Sequence, residues 1–541
     1  MGRQPYGCQY AAAVGVNTDE VREVVMLDQP EAKSKVGSPD GLAAQRTAAA
    51  RAEARRVAGK IVADGQLRRA LTNQTIEIEN PARAEMIAVV PRCGREDVDA
   101  VVTSAHSAWR DWSRRPARDR GALLATAADR LGEEAENLAC LSALETGNAL
   151  PSQTRGEAAT MVDILRFFAG LAGELKGQTV PSAPGVFQYS RRESMGVVGA
   201  IIPWNAPLMQ TASKIGPALA AGNTVVLKPA EQAPLAVLRA FEILQEVLPP
   251  GVANCVTGIG EETGKLLVEH PLVRKVTFTG STSVGAEILR AAGSKIMPVT
   301  AELGGKNPII VMPDADVRRA ADGILRGLRL QRQGQSCSAG TRIYIHDDIY
   351  QKVIHRVIDV IPTFRIGDPL DDATQVGSII SKEQLARVER YVALARSTAG
   401  GKVLTGGARP SVPGFENGYF YSTTLIEGLP RESDVCRDEI FGPVATVSRW
   451  NDFDEVLGEA NNTNYGLAAV IWTQNLARAL EFVDRIEAGF VQVNQFSVAE
   501  ANIEYGGAKM SGMGRELSLE SMIQHFTWSK TVLINGNGAE E

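Results

Sequence analysis

Gly196-Val197-Val198-Gly199-Ala200-Ile201-Ile202-Pro203-Trp204-Asn205-Ala206-Pro207 is the stretch on which the fold turns. Its apolar run, 196–202, reads as a strand, and four more such runs follow at 224–227, 253–256, 275–278 and 298–301. Between them, 208–221, 236–248, 263–269 and 283–292 carry helical spacing. Strands separated by single helices form βαβ units, and the apolar runs suit a parallel sheet buried on both faces. A similar alternation restarts at 309–311, 342–345 and 445–447, which predicts a second α/β lobe. Ligands of such sheets collect beyond the carboxyl ends of the strands. Trp204 and Asn205, then 228–231, 258–260 and 280–285, all fall at such ends.

The chain has 541 residues, which is too many for one core, so two or more lobes are expected. A net charge of −6 gives no reason to expect nucleic acid or an anionic membrane as partner. No apolar run reaches the roughly 18 to 20 residues that span a bilayer. Six scattered cysteines without Cys-x-x-Cys pairing argue against a disulfide framework or a cysteine-rich metal site. With five histidines and no His-Glu-x-x-His, no metal is expected. A reducing, cytoplasmic setting fits this usage. Residues 1–55 read as an extension: 42–58 has high helix propensity but almost no large apolar side chain to bury, so a disordered or loosely docked tail is expected.

Three segments can carry chemistry. Cys337, in Gln335-Ser336-Cys337-Ser338, offers a sulfur nucleophile flanked by small residues. Glu302 ends a strand and precedes Gly304-Gly305, where a tight turn can bring a carboxylate to a cleft as a general base. Asn205 can donate to an oxyanion at a tetrahedral centre. Lys228 and Glu231 have the types that grip a ribose. Gly280 to Gly285 follows a strand and opens a helix, an arrangement friendly to phosphate but lacking the P-loop lysine. Each has a bland alternative: a buried cysteine, a solvated strand-end glutamate, a turn asparagine, a helix-capping glutamate.

Taken in order, these segments resemble the NAD(P)-dependent aldehyde dehydrogenase superfamily from about Gly59 to Lys530. The resemblance rests on 203–207, 228–231, 278–285, 302–308, 334–337, Glu439-Ile440-Phe441-Gly442-Pro443, Asn464-Tyr465-Gly466-Leu467 and 506–516. It implies a Rossmann-like cofactor domain (56–170 and 195–304), a catalytic α/β domain (305–514) and oligomerisation segments (171–194 and 515–541) that form a hairpin paired with the C-terminal strand. A homodimer or homotetramer follows from such exposed edges.

By the same resemblance Cys337 attacks an aldehyde, Asn205 and the Cys337 backbone N–H hold the oxyanion, and Glu302 activates the water that releases the acid. Lys214 and Glu516 match positions linked to proton traffic. Ile202, Pro203, Trp204, Lys228, Glu231, Gly260, Gly264, Phe278, Gly280, Ser281, Gly285, Leu303, Glu439 and Phe441 match the cofactor site. Glu231 favours NAD over NADP, because it repels a 2′-phosphate. The presence of Glu302 favours water over coenzyme A as acyl acceptor.

Substrate positions are Ala206, Gln210, Ser213, Ser336, Ser338, Phe496, Ala499 and Tyr505. Ala and Ser stand where aromatic rings are frequent, which predicts a wide channel. No aromatic cage for a quaternary ammonium is evident, and no arginine lies near Asn205 in the sequence. A bulky, neutral aldehyde, aromatic, terpenoid or long-chain, is therefore expected. The chain departs from the family's pattern at Leu330-Gln331-Arg332-Gln333, where an aromatic and an asparagine are usual, and at Glu504 and Ser518. Two other classes compete: a cysteine hydrolase pairing Cys337 with His346 or His355, and a catalytically silent structural or binding protein on the same scaffold.

Overall fold

The computed structural model describes residues 39–496 and 500–536. Its largest sheet has eight strands, in the order Gln66–Arg69, Lys60–Ala63, Ala253–Cys255, Thr224–Lys228, Val197–Ile201, Val273–Thr279, Val299–Glu302 and Gly512–Met513. The five central strands are mutually parallel, and the flanking ones join antiparallel. All five predicted runs became strands within about two residues of the expected ends. By chain order the parallel core runs 3-2-1-4-5, so connections leave strand Val197–Ile201 and strand Val273–Thr279 in opposite directions. That point opens a crevice beyond their carboxyl ends.

The helix Pro207–Ala220 follows the first strand directly and is buried on nearly every side. Its Ala, Gly and Pro residues allow close approach: a Cβ on Gly216 would meet the Phe168 ring at 2.9 Å, so Arg155–Leu171 packs tightly across it. A helix apolar all round belongs in a core. Lys214 is the exception, a fully buried cation on this helix. One prediction needs adjusting nearby: residues 260–264 form a π-helical turn before the short helix Lys265–Glu269.

The second sheet has seven strands, ordered Lys402–Thr405, Thr424–Glu427, Val444–Trp450, Arg342–His346, Pro308–Val311, Ala468–Trp472 and Phe490–Val493. All are parallel except the first. A third sheet pairs Thr527–Asn535 with Val186–Ser194 over nine residues and adds Thr179–Val180. Among the described residues no helix is long and apolar enough to cross a membrane.

The expectation of a loose tail through residue 55 is corrected for residues 39–55. Helix Pro39–Val57 is docked, with Ala50, Ala54 and Val57 fully buried. Small side chains let the helix lie close on its neighbours, and charged contacts add to it: Arg46 with Asp372, Arg56 with Glu242, and Glu53 with Arg239. Residues 1–38 lie outside the described residues.

Candidate active site

The crevice collects the singled-out residues from both large sheets. Strand Val299–Glu302 delivers Glu302, buried, with neither carboxylate oxygen hydrogen-bonded. Burial holds its acid well above the ordinary carboxylate range; the charge of Glu516 adds to this, while Lys214 and Arg515 oppose it. A Cβ on Gly506 would lie 2.8 Å from Glu302 Oε1, so glycine there makes room for the carboxyl. Lys214 and Glu516 form a short buried ion pair beside it, and Thr277 Oγ1 donates to Glu516 at 3.5 Å.

Cys337 sits in a loop bent by left-handed residues, Arg329 (φ 53°), Gln333 (φ 52°) and Gly334 (φ 68°). A Cβ on Gly334 would strike the Gly442 carbonyl at 2.2 Å, so this turn admits only glycine without rearrangement. Asn307 anchors the loop by donating from Nδ2 to the carbonyls of Cys337 (2.8 Å) and Ala339 (2.9 Å). The Cys337 sulfur lies 3.8 Å from the Tyr505 hydroxyl. Burial pushes its thiol above the ordinary value, and the Tyr505 contact partly offsets this. Asn205 donates from Nδ2 to the Gln335 carbonyl at 2.9 Å, which ties it to the thiol loop. An amide nitrogen carries two hydrogens, so one remains for an oxyanion.

The cofactor candidates also converge. Lys228 is buried, with Nζ 3.0 Å from the Pro229 carbonyl and 3.3 Å from Glu231 Oε2. Gly264 abuts Lys228 and Ile201. Ser281 caps helix Thr282–Ser294 by accepting from Val284. Gly280 lies against the Phe278 ring and Gly285 against Leu303, where any Cβ would come within 2.4 Å. Glu439 Oε1 accepts from Gly305 at 2.9 Å, and burial raises its acid to about 7. Trp204 meets Phe441 edge to face at 5.3 Å.

Phe441 has φ 59°, an uncommon conformation for an aromatic residue. Gln384 holds it, donating to the carbonyls of Ile440 (3.0 Å) and Phe441 (2.7 Å), and Arg387 donates to the carbonyls of Glu439 and Ile440 (3.3 Å). Sequence reasoning missed Gln384 and Arg387, which sit on an ordinary amphipathic helix, Lys382–Ser397. Together with Trp204, Gln232 and Ile380 they line an open cleft of about 520 Å³. The Lys228–Glu231 pair, a capped helix start and a cleft beside Trp204 have the chemistry to accept a dinucleotide.

The substrate candidates are more scattered. Tyr505 packs on Phe490 and faces the thiol. The Ser336 and Ser338 hydroxyls lie 3.3 Å apart. Ala206 is fully buried and Ser213 donates to the Gln210 carbonyl at 3.0 Å, so of these three Gln210 keeps the most accessible face. Ala499 lies outside the described residues. Phe496 is buried, and the Arg329 guanidinium stands 4.6 Å over its ring.

Arg329 and Arg332 are far from Asn205 in sequence, yet the bent loop brings both charges close enough to act on the Cys337 thiol. The hydrolase pairing finds no support: His346 packs edge to face on Trp450, 4.7 Å away, at the end of the strand Arg342–His346, and His355 lies in helix Tyr350–Val360.

A thiol, a buried carboxyl and an amide donor thus meet at one switch point, beside an open cleft, a set suited to an oxidoreductase acting on carbonyl carbon. The sequence pattern of the aldehyde dehydrogenase family matches residues 69–532, and the chain belongs to that family. It is similar to the aldehyde dehydrogenase tropH of Talaromyces stipitatus, 38% identical over 482 residues, covering 88% of this chain and 93% of that one. Among solved structures it resembles PnpE from Pseudomonas sp. WBC-3 in complex with nicotinamide adenine dinucleotide (38% identity, TM-score 0.86, 89% of this chain and 98% of that one). It also resembles the NAD⁺ complex of an aldehyde dehydrogenase from Bacillus cereus (37% identity, TM-score 0.85, 88% and 96%).

Proposed function

We propose that the protein oxidises a bulky aldehyde, aromatic, terpenoid or long-chain, irreversibly to its carboxylate with NAD. The observation that carries this reading is the convergence of Cys337, Asn205 and buried Glu302 on the crevice that the Lys228–Glu231 pair borders. Segments 56–170 and 195–304 hold the cofactor, and 305–514 carries the thiol. Cys337 loses its proton to solvent, its thiolate sulfur bonds to the carbonyl carbon as the C=O π pair moves onto oxygen, and Asn205 Nδ2 with the Cys337 backbone N–H stabilises the resulting oxyanion. NAD, when bound, supplies the two-electron acceptor that turns this adduct into a thioester. Glu302 then takes a proton from water, the water oxygen bonds to the acyl carbon, and the sulfur leaves. Lys214 and Glu516 carry the proton onward. Glu231 accepts from free ribose hydroxyls and repels a 2′-phosphate, which selects NAD.

Aldehyde-dependent NADH formation that disappears in Cys337→Ala tests the reading against a silent scaffold and against a hydrolase. An undiminished rate in Cys337→Ala, or equal kcat/KM with NAD and NADP, contradicts the respective part.

A further inference from the structure

One face of the large sheet beside Glu302 is polar where a core should be apolar. Strand Val273–Thr279 runs parallel to strand Val299–Glu302, with Thr277 opposite Thr300 and Thr279 opposite Glu302. Val276, Phe278, Val299 and Ala301 alternate onto one face and join an apolar cluster. Lys275, Thr277, Thr279, Thr300 and Glu302 take the other face, and all five are buried. Strands covered on both faces ordinarily read as apolar runs, and each polar group taken out of water costs free energy unless it is paired.

Contacts run along this row. Thr279 Oγ1 and both Glu302 oxygens carry no hydrogen bond, which leaves free lone pairs at the end nearest the thiol. Thr277 Oγ1 donates to Glu516 Oε1 at 3.5 Å, the oxygen that also receives Lys214 Nζ, and the Glu516 charge is felt at Glu302. Thr300, directly opposite Thr277, accepts from Lys275 Nζ in a short hydrogen bond. That is the only hydrogen bond of Lys275 among the described residues, and its Nζ otherwise stands 5.6 Å over the Phe526 ring. A Cβ on Gly514 would lie 3.1 Å from both the His525 ring and the Thr300 methyl, so the row ends beside His525, which is partly exposed. The charged or titratable groups facing Lys275 are Glu516, Lys214 and His525. Burial, aided by Lys214 and opposed by Glu516, lowers its ammonium to about 7, so the neutral amine is populated at neutral pH.

We infer that Lys275 takes up, through the Thr300 and Thr277 hydroxyls, the proton that Glu302 removes from the hydrolytic water. This rests on the dehydrogenase reading and deepens it by giving the proton a destination past the Lys214–Glu516 pair. Glu302 returns to carboxylate by passing its proton to the Glu516 carboxylate. Glu516 gives that proton to the Thr277 oxygen as the Thr277 hydroxyl proton moves to Thr300. The Thr300 hydroxyl proton moves in turn to the Nζ lone pair of neutral Lys275. Each hydroxyl takes one proton and gives one, so the net change is a carboxylate restored and an amine protonated. The ammonium then loses its proton to solvent beside His525. Lys275 touches neither thiol nor aldehyde and acts only through Glu302.

The test follows the Cys337 thioester directly. The full-length protein with NAD is mixed with hexanal or benzaldehyde, whichever turns over faster, quenched in acid at intervals, and weighed by intact mass spectrometry. In dilute buffer at neutral pH, Lys275→Met and Thr300→Val should each hold the thioester about 10-fold longer or more than the wild type, a part of what positioned proton transfer contributes. Their initial burst of NADH should be unchanged. Added imidazole, a mobile base, should shorten the thioester lifetime in both variants far more than in the wild type. Lys275→Arg keeps a cation and a donor but holds its proton at neutral pH, so it should be as slow as Lys275→Met. Should the Lys275 variants fail to fold, Thr300→Val decides, since it exchanges a hydroxyl for a methyl of similar size. Thioester no longer lived in the variants than in the wild type, wild-type decay in Lys275→Arg, or imidazole acting equally on all overturns the inference and leaves Lys275 as a prop for Phe526. Those outcomes leave the dehydrogenase reading intact. Neither thioester nor NADH in the wild type sinks that reading and this one with it.

Discussion

Glu302 shows how burial and chemistry pull against each other at a single residue. Its carboxyl has no hydrogen bond and burial holds it well above its ordinary range, which disfavours the ionised form that a base needs. The carboxylate form grows as pH rises through that raised value. Turnover limited by thioester hydrolysis should therefore climb with pH well above the ordinary carboxylate range near 4.5. Lys214 is among the charges that lower the Glu302 acid. Lys214→Met should move that limb of the kcat–pH profile upward, because an opposite charge that favours the carboxylate is removed. A limb that stays put in Lys214→Met argues that the ion pair with Glu516 is structural only. Glu302→Gln should keep the initial burst of NADH and lower the steady-state rate by about 100-fold or more; a variant with full steady-state turnover removes Glu302 from the hydrolytic step. Glu302 was legible in the sequence because it ends a strand before a tight turn, whereas Lys214 and Glu516 were read only from the family resemblance. Gln384 and Arg387 were not, because they act through backbone carbonyls of a distant turn.

At the scale of elements, the parallel strands were readable because full burial writes itself as an unbroken apolar run. The helix Pro39–Val57 was not. Its buried face is alanine and one valine, which hydrophobic patterning scores as polar helix, and only the facing helices show that small residues fit there. Ala54→Asp, which buries an unpaired carboxylate, should cost about 3 kcal/mol or more in urea unfolding, whereas exposed Ala52→Asp on the same helix should change stability by about 0.5 kcal/mol or less. Equal effects of the two substitutions contradict a docked helix. The thiol loop is the converse case. Its departure from the family's pattern was visible in Leu330-Gln331-Arg332-Gln333, yet its left-handed bends and the stacking of Arg329 on Phe496 were not.

Across the whole molecule, the sheet of Thr179–Val180, Val186–Ser194 and Thr527–Asn535 leaves Phe187, Trp528 and Leu533 exposed. Apolar side chains on a small open sheet form an edge that natural proteins cover. We expect a homodimer or homotetramer built on it. Sedimentation velocity should give an assembled species in the wild type and a smaller one for the double variant Phe187→Asp, Leu533→Asp. A monomer in the wild type at all concentrations contradicts this.

The sequence by itself determined the parallel sheet, the order of its strand ends, and the carboxylate and amide that those ends present, with the thiol read from its small neighbours and the family resemblance. Burial periodicity and turn chemistry are local, and both are written in neighbouring residues. Only the tertiary structure decided that the Ala/Arg-rich helix docks, that Gln384 and Arg387 hold the Phe441 turn, and that two arginines share the thiol's surroundings. The first two depend on surfaces that meet across 186 residues of chain for Glu53 and Arg239 and 57 for Gln384 and Phe441, and the third on the left-handed bends of the thiol loop, none of which local spacing encodes.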